Sequence, residues 1–329
     1  MSAIQSERDN AILVEDLHKS FGDVHALAGV DLQVPRGTVL GVLGPNGAGK
    51  TTAVKILTTL TLPDSGKVVV DGRDVVAQPA AVRQSIGLAG QSAAIVQELN
   101  GRENLEFVGR LYHLGRRQAR ERAAELLERF GLSDAAERRA KTYSGGMMRR
   151  LDLAASLVAQ PKVLFLDEPT TGLDPRARND MWEVIRDLVA AGTTLLLTTQ
   201  YLDEADELAD KIVVFDHGKV IAEGTADDLK DTIGGDVVEF TVADRGQHQL
   251  AVSAVQGLSD DEPTVDGDGY VGVRAGRRGS AVLLEVVRRL DAADITAYGL
   301  GVRRPSLDDV FLAITGHRAE DQPSVEVKA

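Results

Sequence analysis

Apolar positions follow two rhythms along the chain, and the changes between them mark its organisation. From Ala11 to Gly44, short β-branched runs alternate with Gly, Asp and Pro, the pattern of a small set of strands and turns. VLGVLG then leads into GPNGAGKTT and AVKILTTLT. A compact apolar strand, a glycine-rich loop and an amphipathic helix start, in that order, open a parallel α/β unit. Residues 102 to 130 and 133 to 160 carry charged and apolar side chains at helical spacing, most clearly in ERAAELLERF. They predict a helical subdomain over about 95–160. VLFLDE and TTLLLTTQ are continuous apolar runs, as in strands covered on both faces, and a helix from about Pro175 to Ala191 separates them as a right-handed crossover requires.

After Gly224 the rhythm changes again. VVEFTVAD, a helical stretch near 249 to 257, the turn-rich TVDGDGYVGVRAG, the helix SAVLLEVVRRLDAAD and the strand AYGLGVRR predict a small α+β domain over 236–316. Its last helix has a start signal in Ser306 with Asp309 three residues on, a capping-box spacing. The polar tail, 317–329, is expected to be disordered.

Composition narrows the partners. A chain of 329 residues, 43% hydrophobic, can bury a large core in more than one domain, and its net charge of -13 argues against nucleic acid or anionic lipid as a partner. Without cysteine there is neither a disulfide nor a thiolate nucleophile, which suits a reducing cytosol. MSAIQSERDN does not read as a signal peptide, and nowhere do about 18 apolar residues run together. Any membrane role is expected to come through a partner.

GPNGAGKTT supplies the first chemistry: Gly44, Pro45, Asn46, Gly47, Ala48, Gly49, Lys50, Thr51 and Thr52. The glycines let backbone N–H groups turn toward β- and γ-phosphate oxygens, Lys50 reaches those oxygens, and the Thr51 hydroxyl can ligate Mg2+. A chance glycine-rich turn is the bland alternative, and the position between strand and helix speaks against it. LFLDEP supplies a second part. A carboxylate at the C-terminal end of a parallel strand faces the ligand side of an open α/β sheet. Asp167 would hold Mg2+ through water and Glu168 would polarise an attacking water; alone, the pair could as well be two solvated acids ending a strand. Between them, in TYSGGMMRRLDLAASLVAQP, Ser144, Gly145 and Gly146 stand directly before a helix, where free N–H groups and the helix dipole favour an anion.

This order of elements, GPNGAGKTT, SGG before a helix, LFLDEPTTGLD and a strand ending ahead of EAD, resembles the ATP-binding cassette of ABC transporters over residues 11–235. The resemblance implies an α/β P-loop cassette with a mixed core sheet, an antiparallel β subdomain and a helical subdomain, binding ATP and Mg2+. It further implies a head-to-tail homodimer in which the SGG segment of one cassette closes the γ-phosphate site of the other. Phe21 matches the aromatic that stacks on adenine, with a core phenylalanine as the alternative. Gln91 matches the glutamine that touches Mg2+ and water and links the site to the membrane partner; otherwise it is a solvent-facing loop residue. Asp174 matches the residue along the dimer seam and, ahead of Pro175, is also suited to cap a helix.

At Gln200 the family pattern has a histidine that contacts the γ-phosphate and positions water. Glutamine donates and accepts but carries no charge and shuttles no proton, so Glu168 remains the expected polarising group, with slow hydrolysis a consequence; a plain strand cap is the alternative. TTQYLDEAD together with VRRPSLDDVFLAITGH resembles the daunorubicin-resistance-type ATP-binding subunits of drug exporters, whose membrane permease is a separate polypeptide. That implies an ATPase held peripherally on the cytoplasmic face of the membrane by the permease, exporting a hydrophobic compound. The alternatives are a soluble non-transport ABC ATPase and a nucleotide-gated switch with little hydrolysis.

Overall fold

The alternating runs at the start of the chain pair into an antiparallel layer. In the computed structural model, which describes residues 9–90, 95–233, 235–265, 269–276 and 278–315, β1 (Asn10–Phe21) lies between β2 (Val24–Pro35) and β4 (Ser65–Val70), with β5 (Arg73–Asp74) at the edge. Its inward residues, among them Ile12, Leu17, Leu27, Val30 and Val70, are buried in one cluster with the next sheet.

That sheet has six strands, in the order β10 (Lys219–Gly224), β9 (Lys211–Asp216), β3 (Val39–Leu43), β8 (Thr194–Thr198), β7 (Val163–Asp167) and β6 (Ile86–Ala89). The pairs from β9 through β6 are parallel. Every residue of β3, β7 and β8 is buried, as their continuous apolar runs predict. The reason is visible in alternate residues: Val163, Phe165 and Leu196 face the core shared with the antiparallel layer, while Leu164, Leu166, Leu195 and Leu197 face a second core built with the helices. A side chain of this size contributes about 1.5–3 kcal/mol when fully buried.

The helices around this sheet are α1 (Lys50–Leu57), α2 (Pro79–Ser85), α3 (Gly101–Leu111), α4 (Arg116–Arg129), α5 (Gly145–Ser156), α6 (Pro175–Ala190) and α7 (Leu202–Leu208). Asn100 and Glu103 close a reciprocal capping box that starts α3. Residues 133–143 depart from the helical expectation: Ser133–Ala135 and Ala140–Thr142 are tight 3-10 turns. The Tyr143 hydroxyl fastens them by donating to the Ala135 carbonyl at 2.7 Å, and the Ser144 cap forces a fresh helix start.

A second compact unit begins at Gly224, ahead of the boundary at 235 drawn from the sequence. It opens with α8 (Ala226–Thr232), started by a Thr225–Asp228 capping box, and continues through β11 (Asp236–Val242), α9 (His248–Val255), β12 (Thr264–Val265), β13 (Tyr270–Gly276), α10 (Gly279–Ala292), β14 (Ala297–Arg303) and α11 (Leu307–Thr315). Its sheet order is β12-β13-β11-β14, all antiparallel, and α8 packs on α11. The capping box expected at Ser306 is present, with Asp309 N–H donating to Ser306 Oγ at 3.2 Å and Ser306 N–H to Asp309 Oδ2 at 2.9 Å. The tail 317–329 lies outside the described residues.

Candidate nucleotide site

The loop from Gly44 to Gly49 leaves β3 and turns into α1 through backbone angles that side chains resist. Gly44 (φ 151°), Gly47 (φ 83°) and Gly49 (φ 108°) all have positive φ. At Gly49 a Cβ atom would also lie 2.5 Å from the Ala26 carbonyl oxygen. Gly49 stands at the N-cap and offers no side chain to the first N–H groups of α1, which therefore remain available to an anion. Lys50 is buried, and its Nζ donates to the carbonyls of Gly44 at 2.5 Å and Pro45 at 3.0 Å. Ala48 ties the loop down: its carbonyl accepts from Gly218 N–H at 3.0 Å.

A cleft of about 290 Å3 opens over this loop. Asn46, Gly47, Lys50, Thr51, Thr52 and Glu168 are among its walls, so the sheet brings the phosphate loop and the acidic strand end to one place. Burial pushes the Lys50 ammonium below its ordinary value of 10.5, against the opposing charges of Glu168 and Asp167. Asp167 ends β7 beneath the surface, with Thr198 Oγ1 of β8 donating to its Oδ1 at 2.5 Å. Glu168 follows with φ 52°, a left-handed conformation unusual outside glycine, and its N–H donates to the Thr198 carbonyl at 3.0 Å.

Ser144 caps α5, its hydroxyl accepting from Met147 N–H at 3.2 Å. Gly145 does not line the phosphate-loop cleft; with Glu168, Gly90 and Gly172 it lines another, of about 410 Å3. Gly146 packs near Leu173 and Ala177. Asp174 caps α6, accepting from Ala177 N–H at 2.8 Å, with Pro175 in the first turn. Gln200 lies just beyond β8, half-buried. Phe21 is 53% exposed and is therefore not a core side chain; it pairs with Val24 across the β1–β2 turn, and Val24 lines the phosphate-loop cleft. Gln91 lies outside the described residues.

Among the residues at these clefts that were not singled out from the sequence are His25, His217 and Arg149. His25 and His217 line the phosphate-loop cleft, from β2 and from the β9–β10 turn respectively. No spacing links either to GPNGAGKTT; only sheet pairing brings them there. Arg149, in the paired arginines after SGGMM, lines the larger of the two clefts.

A family model described as "ABC transporter" matches residues 27–171. A daunorubicin resistance ATP-binding protein of Streptomyces coeruleorubidus, DrrA2, is 54% identical over 317 residues, covering 96% of this chain and 98% of that one. The chain belongs to the ABC transporter family, among its daunorubicin-resistance-type ATP-binding proteins. The daunorubicin/doxorubicin resistance ATP-binding protein DrrA of Streptomyces peucetius is 48% identical, with 98% of each chain covered. A solved ATP-binding subunit of an ABC transporter superposes with a TM-score of 0.62 at 28% identity, covering 68% of this chain and 93% of that one. The solved fold thus matches a cassette-sized part of the chain, whereas the resistance proteins match nearly all of it. The chain is an ATP-binding cassette of the ATP-hydrolysing class. Among the described residues, no helix of this cassette protein is long and apolar enough to cross a membrane.

Proposed function

We propose that this cassette protein hydrolyses ATP to drive export of a hydrophobic drug or similar compound through a separate membrane permease, which holds it at the cytoplasmic face. The observation that carries the reading is that Lys50, Thr51 and Glu168 line one cleft at the ligand-binding end of a parallel sheet. The exported compound is inferred from relatives described as daunorubicin and doxorubicin resistance proteins.

The N–H groups of the loop and of the start of α1 would receive the β- and γ-phosphates, with Lys50 exchanging its carbonyl partners for phosphate oxygens. Phe21 would stack on the adenine. Mg2+ suits the donors present, a threonine hydroxyl and a carboxylate, because it is a hard cation that keeps waters and phosphate oxygens as its remaining ligands. Thr51 and Asp167 would hold it, with Gln91, and it would supply charge neutralisation at the phosphates. Glu168 would polarise the attacking water, and Gln200 would hold that water and the γ-phosphate by neutral hydrogen bonds.

Ser144, Gly145 and Gly146 would serve a second copy. Gly145 lines a different cleft from the chain's own phosphate loop, which favours a head-to-tail homodimer with Asp174 along the seam. The test is ATP turnover by the purified chain across a wide concentration range, with Glu168→Gln as control. Turnover per molecule that rises with concentration and vanishes in the control supports the dimeric ATPase; turnover retained in the control removes Glu168 from its role. Recovery of the chain with an integral-membrane protein from detergent extracts separates the exporter from a non-transport ATPase.

A further inference from the structure

A densely shared side chain near the site lies outside GPNGAGKTT and LFLDEP, three residues after SGG. Arg149 lies in the second turn of α5, the helix started by Ser144, and only 18% of its side chain is exposed. Its guanidinium donates from Nη1 to the Gly90 carbonyl at 2.8 Å and from Nε to the Pro169 carbonyl at 2.7 Å. Nη2 donates to the Asp167 carbonyl at 3.1 Å and to the Glu168 carbonyl as well. Asp152, on the same helix face, has its carboxylate 3.9 Å from Nη1. Among the described residues every other partner is a backbone oxygen, and these oxygens come from two segments far apart in sequence.

This placement has a physical consequence at Glu168. Its positive φ is a conformation that persists only where neighbouring groups over-determine it. The N–H of Glu168 is held by the Thr198 carbonyl and its C=O by Arg149, so the two peptide groups that aim the side chain are both pinned. The same guanidinium holds Gly90, just past the end of β6, to the end of β7. The rigid planar fork of arginine can satisfy several carbonyls at once, which the single ammonium of a lysine cannot do in the same geometry.

We propose that Arg149 is a positioning residue for ATP hydrolysis: from the helix that begins at Ser144 it sets the backbone of Glu168 and ties it to Gly90. The start of α5 and the catalytic carboxylate then move as one body, so a displacement of the helix start is felt at Glu168 without any contact between their side chains. The inference rests on the assignment of Glu168 as the polarising group.

Arg149→Lys tests it, because it keeps the charge and most of the stem; Arg149→Ala is the more disruptive companion. Single-turnover hydrolysis of γ-labelled ATP reads slow rates, binding of a fluorescent ATP analogue gives Kd, and a thermal melt reports folding. In Arg149→Lys, the hydrolysis rate should fall about 100-fold, the loss typical of a misplaced catalytic group, while Kd and Tm stay close to those of the parent chain. An undiminished rate in Arg149→Lys would overturn the inference, as would a lost rate joined by a raised Kd and a lowered Tm in both variants, which marks a merely structural residue. Glu168→Gln in the same assay keeps the two readings apart. If Glu168→Gln retains turnover, the assignment of Glu168 fails; if it loses turnover while Arg149→Lys does not, only the role of Arg149 fails.

Discussion

Thr198 Oγ1 donates to Asp167 Oδ1 at 2.5 Å, across the parallel pair in which these two residues stand opposite each other. One hydroxyl thus joins the strand that ends in the two acids to the strand that ends near Gln200. Removing it with Thr198→Val, nearly the same shape, leaves the Asp167 carboxylate without its orienting partner. Groups in this outer position typically cost about 10–100-fold in metal affinity or activity. We expect a rise of that order in the Mg2+ concentration needed for half-maximal turnover, with little change in ATP binding without metal. An unaltered Mg2+ dependence would separate Asp167 from the metal.

Gln200 has no titrating group, so position 200 contributes no limb to the pH–rate profile of the parent protein. Gln200→His introduces an imidazole whose ordinary value, about 6.5, falls inside the assay range. The informative quantity is the difference between the two profiles. The expected result is a new inflection in Gln200→His and a loss of roughly 100-fold in Gln200→Ala. Superimposable profiles and rates in all three proteins would leave Gln200 as a strand cap.

Glu204, in α7, is fully buried, and Trp182 Nε1 donates to its Oε1 at 3.2 Å. Burial raises its carboxyl above the ordinary 4.5, outweighing the hydrogen bond from Trp182, the neighbouring Thr199 and Thr170 hydroxyls and the charge of Arg178. A folded state that holds the proton more tightly than the unfolded chain is favoured below 4.5, and that advantage is lost as pH rises through the raised folded value. In urea unfolding, the parent chain should therefore lose stability from about pH 4.5 upward relative to Glu204→Gln, which keeps an acceptor for Trp182. Parallel stability curves for the two proteins would contradict the buried neutral carboxyl.

Asp71 is a buried carboxylate with the opposite shift. Burial pushes it up, but hydrogen bonds from Arg36 at 2.8 Å and Arg73 at 2.6 Å, with the Lys162 ammonium 3.5 Å away, hold it below the ordinary 3.8. Its contribution is present above 3.8 and is lost as pH falls through the lowered folded value. Asp71→Asn should cost about 1.5–3 kcal/mol at neutral pH, the range for a hydrogen bond to a charged group, and less in acid. A constant difference between the two proteins from neutral to acid pH would show that the ion cluster does not depend on the Asp71 charge.

What depends on local conformation and on residue type was legible in the order of residues alone. The glycines of GPNGAGKTT are needed for positive φ at Gly44, Gly47 and Gly49; continuous apolar runs mark β3, β7 and β8; and the caps at Asp174 and Ser306 stand where their spacing puts them. These follow from dihedral preferences, burial and hydrogen bonds within a few residues, all written in neighbouring letters. Residues 133–143 could not be read that way, because helical spacing does not reveal that Tyr143 anchors to Ala135. Only the tertiary structure decided that β8 lies beside β7, which sets Thr198 against Asp167, and that His25 and His217 reach the phosphate-loop cleft. It also decided that Arg149 turns inward to four backbone carbonyls. A carbonyl has no side-chain identity, so no pattern of letters marks it as a partner, and strand order is settled by the packing of whole layers.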